Sequence, residues 1–339
     1  MKFTNEFGIK SLSVQAALTT DDYDMSSRPE NVVSCTELID APKHQILKRR
    51  HSKDLVVDIS DNFWTMFGSA VHYTLERSNK KQQRLSEERL FIEVGEEFKV
   101  HTLAENQRVV DAPWYRTDVP FVTVKYDSYE DENRILEDYK FVSVWEVIFG
   151  LKKSRLEQLN IGAFAMNMIG FPVDKVRPVL LLKDWSNKEY LQAEQKAREF
   201  GNVCKYPPIP YHEEIHPVWT RETIENFIRE KVTAYFAASH LKDDEIAPCN
   251  EEERWYSGDV YAVMKEGRKT AVKLFKISDD VTSDQARDAA EALTIELNGS
   301  SRGHYVEKRP GMDRRCMEYC PLADRADFKK SICNFARNF

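Results

Sequence analysis

One segment of the chain favours a β-hairpin that carries two acids and a lysine, and it constrains the fold more than any other. Residues 121–126 are mostly β-branched or aromatic, as in a strand, and they end at Asp127. The stretch 128–133 is polar and acidic, which is typical of a loop, and residues 134–140 favour a second strand. We therefore expect the two strands to lie side by side.

The second strand predicts how its functional side chains are arranged. Side chains alternate along a strand, so Asp138 and Lys140 should share one face, with Glu137 and Tyr139 on the other. Asp127, at the end of the neighbouring strand, can reach the face of Asp138. Two carboxylates offer the hard oxygen ligands that Mg²⁺ and Mn²⁺ prefer. A lysine beside them can orient a metal-bound water and stabilise an oxyanion, which is the chemistry of phosphodiester cleavage.

Helix-forming segments precede and follow this hairpin. Residues 69–78 continue from a turn at Gly68 into a helix that would carry His72. Further along, residues 155–168 form an apolar helical pattern with Gln158 in the first turn.

The order of these residues resembles the PD-(D/E)XK nuclease superfamily, and within it the RecB-like branch. That branch has a Gly-x-x-x-His helix, an aspartate at a strand end, a strand with (Asp/Glu)-x-Lys, and a Gln-x-x-x-Tyr helix. The matching positions in this chain are Gly68 and His72, Asp127, Asp138 and Lys140, and Gln158. Gly162 stands where the branch has its tyrosine, so the auxiliary role of that helix departs from the pattern.

The resemblance implies an α/β fold of the restriction-endonuclease-like type, with a mixed central sheet flanked by helices. It also implies the roles of the site residues. The implied catalytic residues are Asp127, Asp138, Lys140 and Gln158. The implied ligands of Mg²⁺ or Mn²⁺ are His72, Asp127, Asp138 and the carbonyl of Tyr139.

The chain also resembles a group of phage and prophage proteins of similar length. The shared segments are residues 35–42, 138–145, 182–186, 247–255, 261–265 and 309–311, which span about residues 31–325. The resemblance implies a metal-dependent DNA nuclease, an exonuclease by expectation, that serves phage recombination, replication or DNA processing. Its partners would be DNA and a phage single-strand annealing protein or a helicase. The alternative is a DNA-end-binding or assembly component of a helicase or recombinase complex, with an accessory nuclease site. A structural virion role would leave the acids and the lysine unexplained.

Composition shifts along the chain predict three parts. Residues 1–30 would be a polar N-terminal arm, residues 31–245 the nuclease core, and residues 246–339 a small α+β accessory module containing cysteines. A helix is predicted over residues 220–241, with Thr220 as its N-cap. In the last part, residues 260–275 predict a hairpin that turns at Glu266 and Gly267, followed by a helix and a further strand.

Six cysteines raise a second chemical question. In a cytosolic protein this number favours metal binding over disulfides. Cys316 and Cys320 are close in the sequence and are followed by Pro321, a spacing that suits a [4Fe–4S] cluster or, alternatively, Zn²⁺. The related phage proteins have a further cysteine where this chain has Ala326. The resemblance suggests Cys249 as a further ligand, with Cys35 as an alternative, and Cys333 is the candidate to replace the missing cysteine. Buried inert thiols are the simpler interpretation.

Charge and hydropathy bound the partners and the location. The net charge of −7 argues against general binding of polyanions, yet Lys48, Arg49 and Arg50 form a basic stretch. It is either a DNA-phosphate contact or a solvated helix face. No apolar run approaches the ~18 residues that span a bilayer, and the first residues lack the apolar core of a signal peptide. We expect no membrane partner and a cytoplasmic location, in the host cytoplasm if the chain is phage-encoded.

Overall fold

The computed structural model describes residues 1–20, 28–104, 107–277 and 281–339. The chain divides into two compact units, Met1–Lys242 and Asp243–Phe339. The strands of the first unit are β1 (Lys2–Thr4), β2 (Val32–Ser34), β3 (Val56–Asp58), β4 (Arg89–Val94), β5 (Phe98–Thr102), β6 (Phe121–Lys125), β7 (Ser128–Glu130), β8 (Ile135–Val142), β9 (Lys175–Leu182), β10 (Tyr211–Glu213) and β11 (His216–Pro217). Its helices are α1 (Leu12–Thr19), α2 (Cys35–Leu38), α3 (Pro42–Arg50), α4 (Phe63–Lys81), α5 (Trp145–Phe149), α6 (Lys153–Met168), α7 (Asn187–Glu199) and α8 (Arg221–Ser239).

The first unit is a mixed α/β structure with two principal sheets. One sheet has the strand order β2-β6-β4-β5, with β2 parallel to β6 and the other pairs antiparallel. The second sheet has the order β10-β9-β8-β7, and β11 also pairs with β9. In this sheet β8 and β9 are parallel, while β7 runs antiparallel to β8. Helices flank both sheets.

The predicted hairpin is partly wrong, because β8 does not pair with β6. The chain breaks at Asp127, and the residues expected to form a loop begin with β7, which pairs with β8 so that Ser128 faces Glu137. Strand β6 instead pairs with β2 and β4 in the other sheet. The resemblance implied one mixed central sheet, and the described strands of this region form two. Asp127 therefore lies at the point where the chain passes from one sheet to the other.

Helix α6 is the central packing element of the first unit. It contacts β4 and β6 of one sheet and β8 and β9 of the other, and its residues from Leu159 to Met166 are buried. A Cβ atom on Gly162 would lie 3.0 Å from a methyl of Leu136 in β8 and 3.7 Å from a methyl of Val124 in β6. The glycine at the motif's tyrosine position thus permits close approach between the helix and both sheets.

Helix α4 begins earlier than expected, and most of its side chains are at least partly exposed to solvent. Gly68 lies inside the helix rather than in a turn before it, and Asn79 is its one buried residue. The part of the predicted arm that the structure describes also belongs to this unit, since β1 pairs with β3 and Leu18 of α1 is buried. Residues 21–27 of the predicted arm lie outside the described residues.

The second unit is a small α+β structure. Its elements are β12 (Val260–Lys265), β13 (Lys273–Lys276), α9 (Ser283–Ser300) and β14 (His304–Arg309). Strand β12 lies between β13 and β14, and both pairs are antiparallel. The helix contacts all three strands. Gly267, in the predicted turn, has a φ of 78°, a conformation that favours glycine.

Within the described ranges, none of the helices combines the length and the apolar character that a membrane crossing requires.

The packing of α6 generates a stability prediction. Replacing Gly162 with leucine forces a side chain against Leu136, and overpacking of this kind costs about 1–3 kcal/mol or more in the free energy of unfolding. Gly68→Ala is the matched control, because a Cβ there meets nothing within 4 Å and alanine in a helix is favoured by roughly 0.5–1 kcal/mol. Urea unfolding followed by circular dichroism measures both changes. A Gly162→Leu protein as stable as the wild type would contradict this account of the packing.

Candidate metal centre

Strand β8 presents its alternating side chains to two different environments. Lys140 Nζ lies 2.6 Å from Asp138 Oδ1, so the acid and the lysine meet on one face of the strand. On the other face the Tyr139 hydroxyl donates to Glu137, which also forms ion pairs with Arg84 and Arg177. The negative charge of Glu137 is thus balanced by two arginines, while Asp138 and Lys140 form a separate ion pair.

A backbone hydrogen bond connects Asp127 to the same strand. The Tyr139 amide donates to Asp127 Oδ2 at 2.6 Å. The amide and carbonyl of one strand residue point to the same side of the strand, so the Tyr139 carbonyl also faces the edge near Asp127. The break between β6 and β7 leaves this edge open, because β7 pairs with β8 only up to Glu137.

Asp138 carries a buried oxygen without a partner. The residue is 4% exposed, and its Oδ1 accepts hydrogen bonds from Lys140 and from Gln158 Nε2 at 2.9 Å. Its Oδ2 is buried and has no hydrogen-bond partner among the described residues. An unsatisfied buried carboxylate oxygen is costly unless a proton or a cation satisfies it. Burial accordingly raises the pKa of Asp138, although the charge of Lys140 opposes the shift.

His72 approaches Asp127 from helix α4. Its Nδ1 lies 3.5 Å from Asp127 Oδ1, and its ring centroid is 6.3 Å from that of Tyr139. The hydrogen bond with Asp127 raises the pKa of His72, and burial opposes that shift. Burial alone would raise the pKa of Asp127, but the bond with His72 and the charge of Lys140 outweigh it and hold that pKa below its ordinary value.

Glu87 is a member of the site that the sequence did not reveal. Ligand atoms of His72, Glu87 and Asp127 all lie within 4.8 Å of one another, a spacing that could hold a metal ion. Glu87 precedes β4, and its amide donates to the Tyr126 carbonyl at 3.0 Å. Its carboxylate also forms an ion pair with Lys125. Only the pairing of β4 with β6 places this glutamate beside Asp127, and that register cannot be derived from local sequence.

Two arginines of the basic stretch on α3 form hydrogen bonds within the protein. The Arg49 guanidinium donates to the carbonyls of Arg28, Pro29 and Val32, at 2.7, 2.6 and 3.2 Å. Arg50 donates to the carbonyl of Ser239 at the end of α8. The Arg49 donors hold α3 to the chain around Val32. The assignment of Lys48, Arg49 and Arg50 to DNA binding stays a prediction.

Four of the cysteines lie in the second unit, namely Cys249, Cys316, Cys320 and Cys333. Burial raises the pKa of Cys316 to about 12, and the neighbouring Cys320, Cys249 and Cys333 add to that shift. The Cys333 amide donates to the Leu322 carbonyl at 3.2 Å, which brings this residue back to the segment after Cys320. Within the described ranges no three of these thiols lie within 4.8 Å of one another.

Cys35 belongs to the first unit. It is buried at the start of α2, and burial together with the charge of Asp138 raises its pKa to about 12. Cys204 lies in the first unit as well, where its thiol donates to the Tyr206 carbonyl.

Comparisons with known proteins leave the family open. No family model matches the chain, and no curated protein matches it. A solved structure titled "Crystal structure of SSO0001" is similar over 65% of this chain and 81% of its own, at 13% identity and a TM-score of 0.38. A similarity this weak carries no argument about fold or function.

The Glu87 position generates a metal-binding prediction. Glu87→Gln should weaken Mn²⁺ binding by about tenfold or more, because even residues behind metal ligands cost 10- to 100-fold when changed. Glu88→Gln, at the adjacent position, should leave the affinity unchanged, since Glu88 is not in the group with His72 and Asp127. Isothermal titration calorimetry with the purified full chain measures both affinities. An equal loss of Mn²⁺ affinity in the two variants would show that Glu87 is not a ligand of the metal centre.

Proposed function

We propose that the first unit is a metal-dependent nuclease that hydrolyses phosphodiester bonds in DNA. The observation that carries this proposal is the buried Oδ2 of Asp138, which has no hydrogen-bond partner among the described residues, on a side chain that lies beside Lys140. A buried, unpaired carboxylate oxygen next to a second acid is costly unless a proton or a cation satisfies it. A divalent ion satisfies that need and is also what phosphodiester hydrolysis requires.

The donor set fits Mg²⁺ or Mn²⁺. His72, Glu87 and Asp127, whose ligand atoms lie within 4.8 Å of one another, would supply an imidazole nitrogen and carboxylate oxygens. Asp138, which is not in that group, and the Tyr139 carbonyl would supply further oxygens. Oxygen ligands suit both ions, and the imidazole favours Mn²⁺ over Mg²⁺. When bound, such an ion lowers the pKa of a water ligand and neutralises charge that builds on the phosphate. The raised pKa of His72 means that ion binding competes with its proton, so affinity should increase with pH.

The chain's own groups would position the reaction. The Lys140 ammonium, held 2.6 Å from Asp138, is placed to orient the attacking water and to stabilise the developing oxyanion. Gln158 donates to the same Asp138 oxygen, so it fixes the carboxylate with its free Oδ2 away from the lysine. The acid, the lysine and the glutamine thus act as one hydrogen-bonded group.

The proposed fold is restriction-endonuclease-like, with Asp127 at the break between β6 and β7, Asp138 within β8, and helices α4 and α6 both in contact with β8. The alternative function, a DNA-end-binding or assembly component of a helicase or recombinase complex, predicts no cleavage by the isolated chain. End-labelled linear DNA incubated with purified chain and Mn²⁺ distinguishes the two. The proposal requires degradation, whereas intact DNA at saturating Mn²⁺ would favour the alternative.

The roles of the acid and the lysine can be tested separately from folding. Asp138→Asn and Lys140→Met should each lower the cleavage rate by about 10²–10³, the usual effect of removing one charge-stabilising group. Asp174→Asn and Lys175→Met are matched controls near the other end of the second sheet. Lys175 pairs with Ile135, five residues before Lys140 and thus about 16 Å away along the strand. Full activity in Lys140→Met would refute the assigned role.

We propose separately that Cys249, Cys316, Cys320 and Cys333 hold a [4Fe–4S] cluster. Cys320, Cys249 and Cys333 are close enough to Cys316 to raise its pKa, but no three of the described thiols meet within 4.8 Å. A tetrahedral zinc site with Zn–S bonds of about 2.3 Å needs sulfurs roughly 3.8 Å apart. A cluster binds each thiolate on a separate iron, and wider spacing suits it better.

The cysteine proposal makes its own prediction. Anaerobically purified chain should be brown and absorb near ~400 nm. Cys316→Ser should lose most of this absorbance and of the bound iron, while Cys204→Ser should keep both. Iron and zinc content, measured on the same samples, decides between the two metals. Bound zinc without iron in the wild type would contradict the cluster.

A further inference from the structure

Helix α4 exposes an aromatic face next to the candidate metal centre. Trp64 is 55% exposed and Phe67 is 43% exposed, and their ring centroids are 5.9 Å apart. Phe141 of β8 lies 6.5 Å from Trp64, measured between ring centroids. These three side chains are called the aromatic face below. Contiguous exposed apolar surface of this kind marks a binding site more often than isolated exposed residues do.

An open groove continues the aromatic face along the helix. It has a volume of about 340 Å³, and its lining consists of Phe67, Ala70, Val71, Thr74, Leu75 and Phe141. The lining is almost wholly apolar, and the groove lies within the first unit. A flexible apolar or aromatic ligand segment could enter it without displacing any element of the fold.

The aromatic face approaches the His72 side of the metal centre. Val71 lines the groove, and the next residue on the helix is His72. On β8, Phe141 follows Lys140 and shares a strand face with Tyr139, whose ring is 6.3 Å from that of His72. Residues two apart on a strand are separated by about 7 Å, so Phe141 lies roughly one such step from Tyr139, and the aromatic face reaches the centre on the side of His72. Asp138 and Lys140 project from the opposite face of β8.

A cation completes the arrangement. The Lys183 ammonium lies 4.1 Å from the centroid of the Trp64 ring, on the residue that follows β9. A lysine placed against an exposed indole can contact a backbone phosphate while the aromatic rings contact bases. Surfaces that bind single-stranded nucleic acid combine positive charge along the backbone with aromatic side chains on which bases stack.

We propose that the aromatic face binds unstacked bases of a single-stranded nucleic acid and leads the strand to the metal centre. This inference rests on the proposed nuclease function and adds the form of the substrate. A duplex cannot use such a face, because its bases are stacked on one another and only their edges are accessible. The preferred substrate is therefore a single strand or a single-stranded end.

The test compares stacking with simple apolar contact at Trp64. Trp64→Leu keeps an apolar side chain but removes the ring, and Trp64→Phe keeps a ring. Fluorescence anisotropy of labelled oligothymidylate and of a blunt duplex of equal length, with the full chain and Ca²⁺ in place of Mn²⁺, measures binding without requiring cleavage. Trp64→Leu should weaken binding of the single strand by about 5-fold to 100-fold, and Trp64→Phe by about twofold at most.

Tyr73→Ala is the matched control. Tyr73 is 66% exposed on the same helix, and nine residues place it about half a turn around the axis from Trp64. This variant should bind oligothymidylate with the affinity of the wild type. The Mn²⁺ affinity of every variant should equal that of the wild type, and this equality would show that the substitutions leave the fold intact.

Several outcomes would overturn the proposal. Equal binding by wild type and Trp64→Leu, tighter binding of the duplex, or no binding of oligothymidylate would each do so. A dimer in size-exclusion chromatography that Trp64→Leu converts to a monomer would instead assign the face to a second copy of the chain. Ring-dependent binding without any cleavage would support the aromatic face and refute the nuclease. DNA cleavage by the wild type, together with equal single-strand binding by the wild type and Trp64→Leu, would support the nuclease and refute the aromatic face.

Discussion

The hydrogen bond from the Tyr139 amide to Asp127 holds the candidate site together. Asp127 lies where the chain leaves one sheet and enters the other, so its position depends on both. The 2.6 Å bond fixes its carboxylate to the edge of β8. Through this contact Asp127 is held near Asp138, and His72 reaches the same carboxylate from α4. The site is therefore assembled across the junction of the two sheets rather than on one strand.

Close packing of helix α6 supports this junction. Gly162 lets the helix approach Leu136 and Val124, one from each sheet, and Gln158 near its start donates to Asp138. A tyrosine at position 162 would have to displace both sheets. The departure from the expected motif thus has a packing explanation, and the hydrogen bond of Gln158 does not depend on that tyrosine.

Much of the local structure was predictable because it depends on short-range patterns. Alternation along β8 placed Asp138 and Lys140 on one face, and the apolar period of α6 gave its bounds to within two residues. Thr220 caps α8 as expected, since its side chain accepts from the Thr223 amide.

Other features depend on contacts between distant segments and could not be predicted. The residues before Asp127 favour a strand in any sheet, and the polar residues after it favour a loop, so local pattern revealed neither β7 nor the change of sheet. Glu87 joins the site only through the register of β4 on β6, in which Arg89 pairs with Lys125. The sequence indicates only that Arg49 belongs to a basic stretch. It does not indicate that the Arg49 guanidinium donates to the carbonyls of three residues earlier in the chain.

The central claim is that Asp127 and Asp138 share a divalent cation with His72 beside Lys140. Crystals of the full chain soaked in Mn²⁺ and measured at the manganese absorption edge test it most directly. The account predicts an anomalous peak bounded by the Asp127 carboxylate, Asp138 Oδ2 and the His72 imidazole. A saturating soak that gives no peak there, or a peak only at another position, would contradict it.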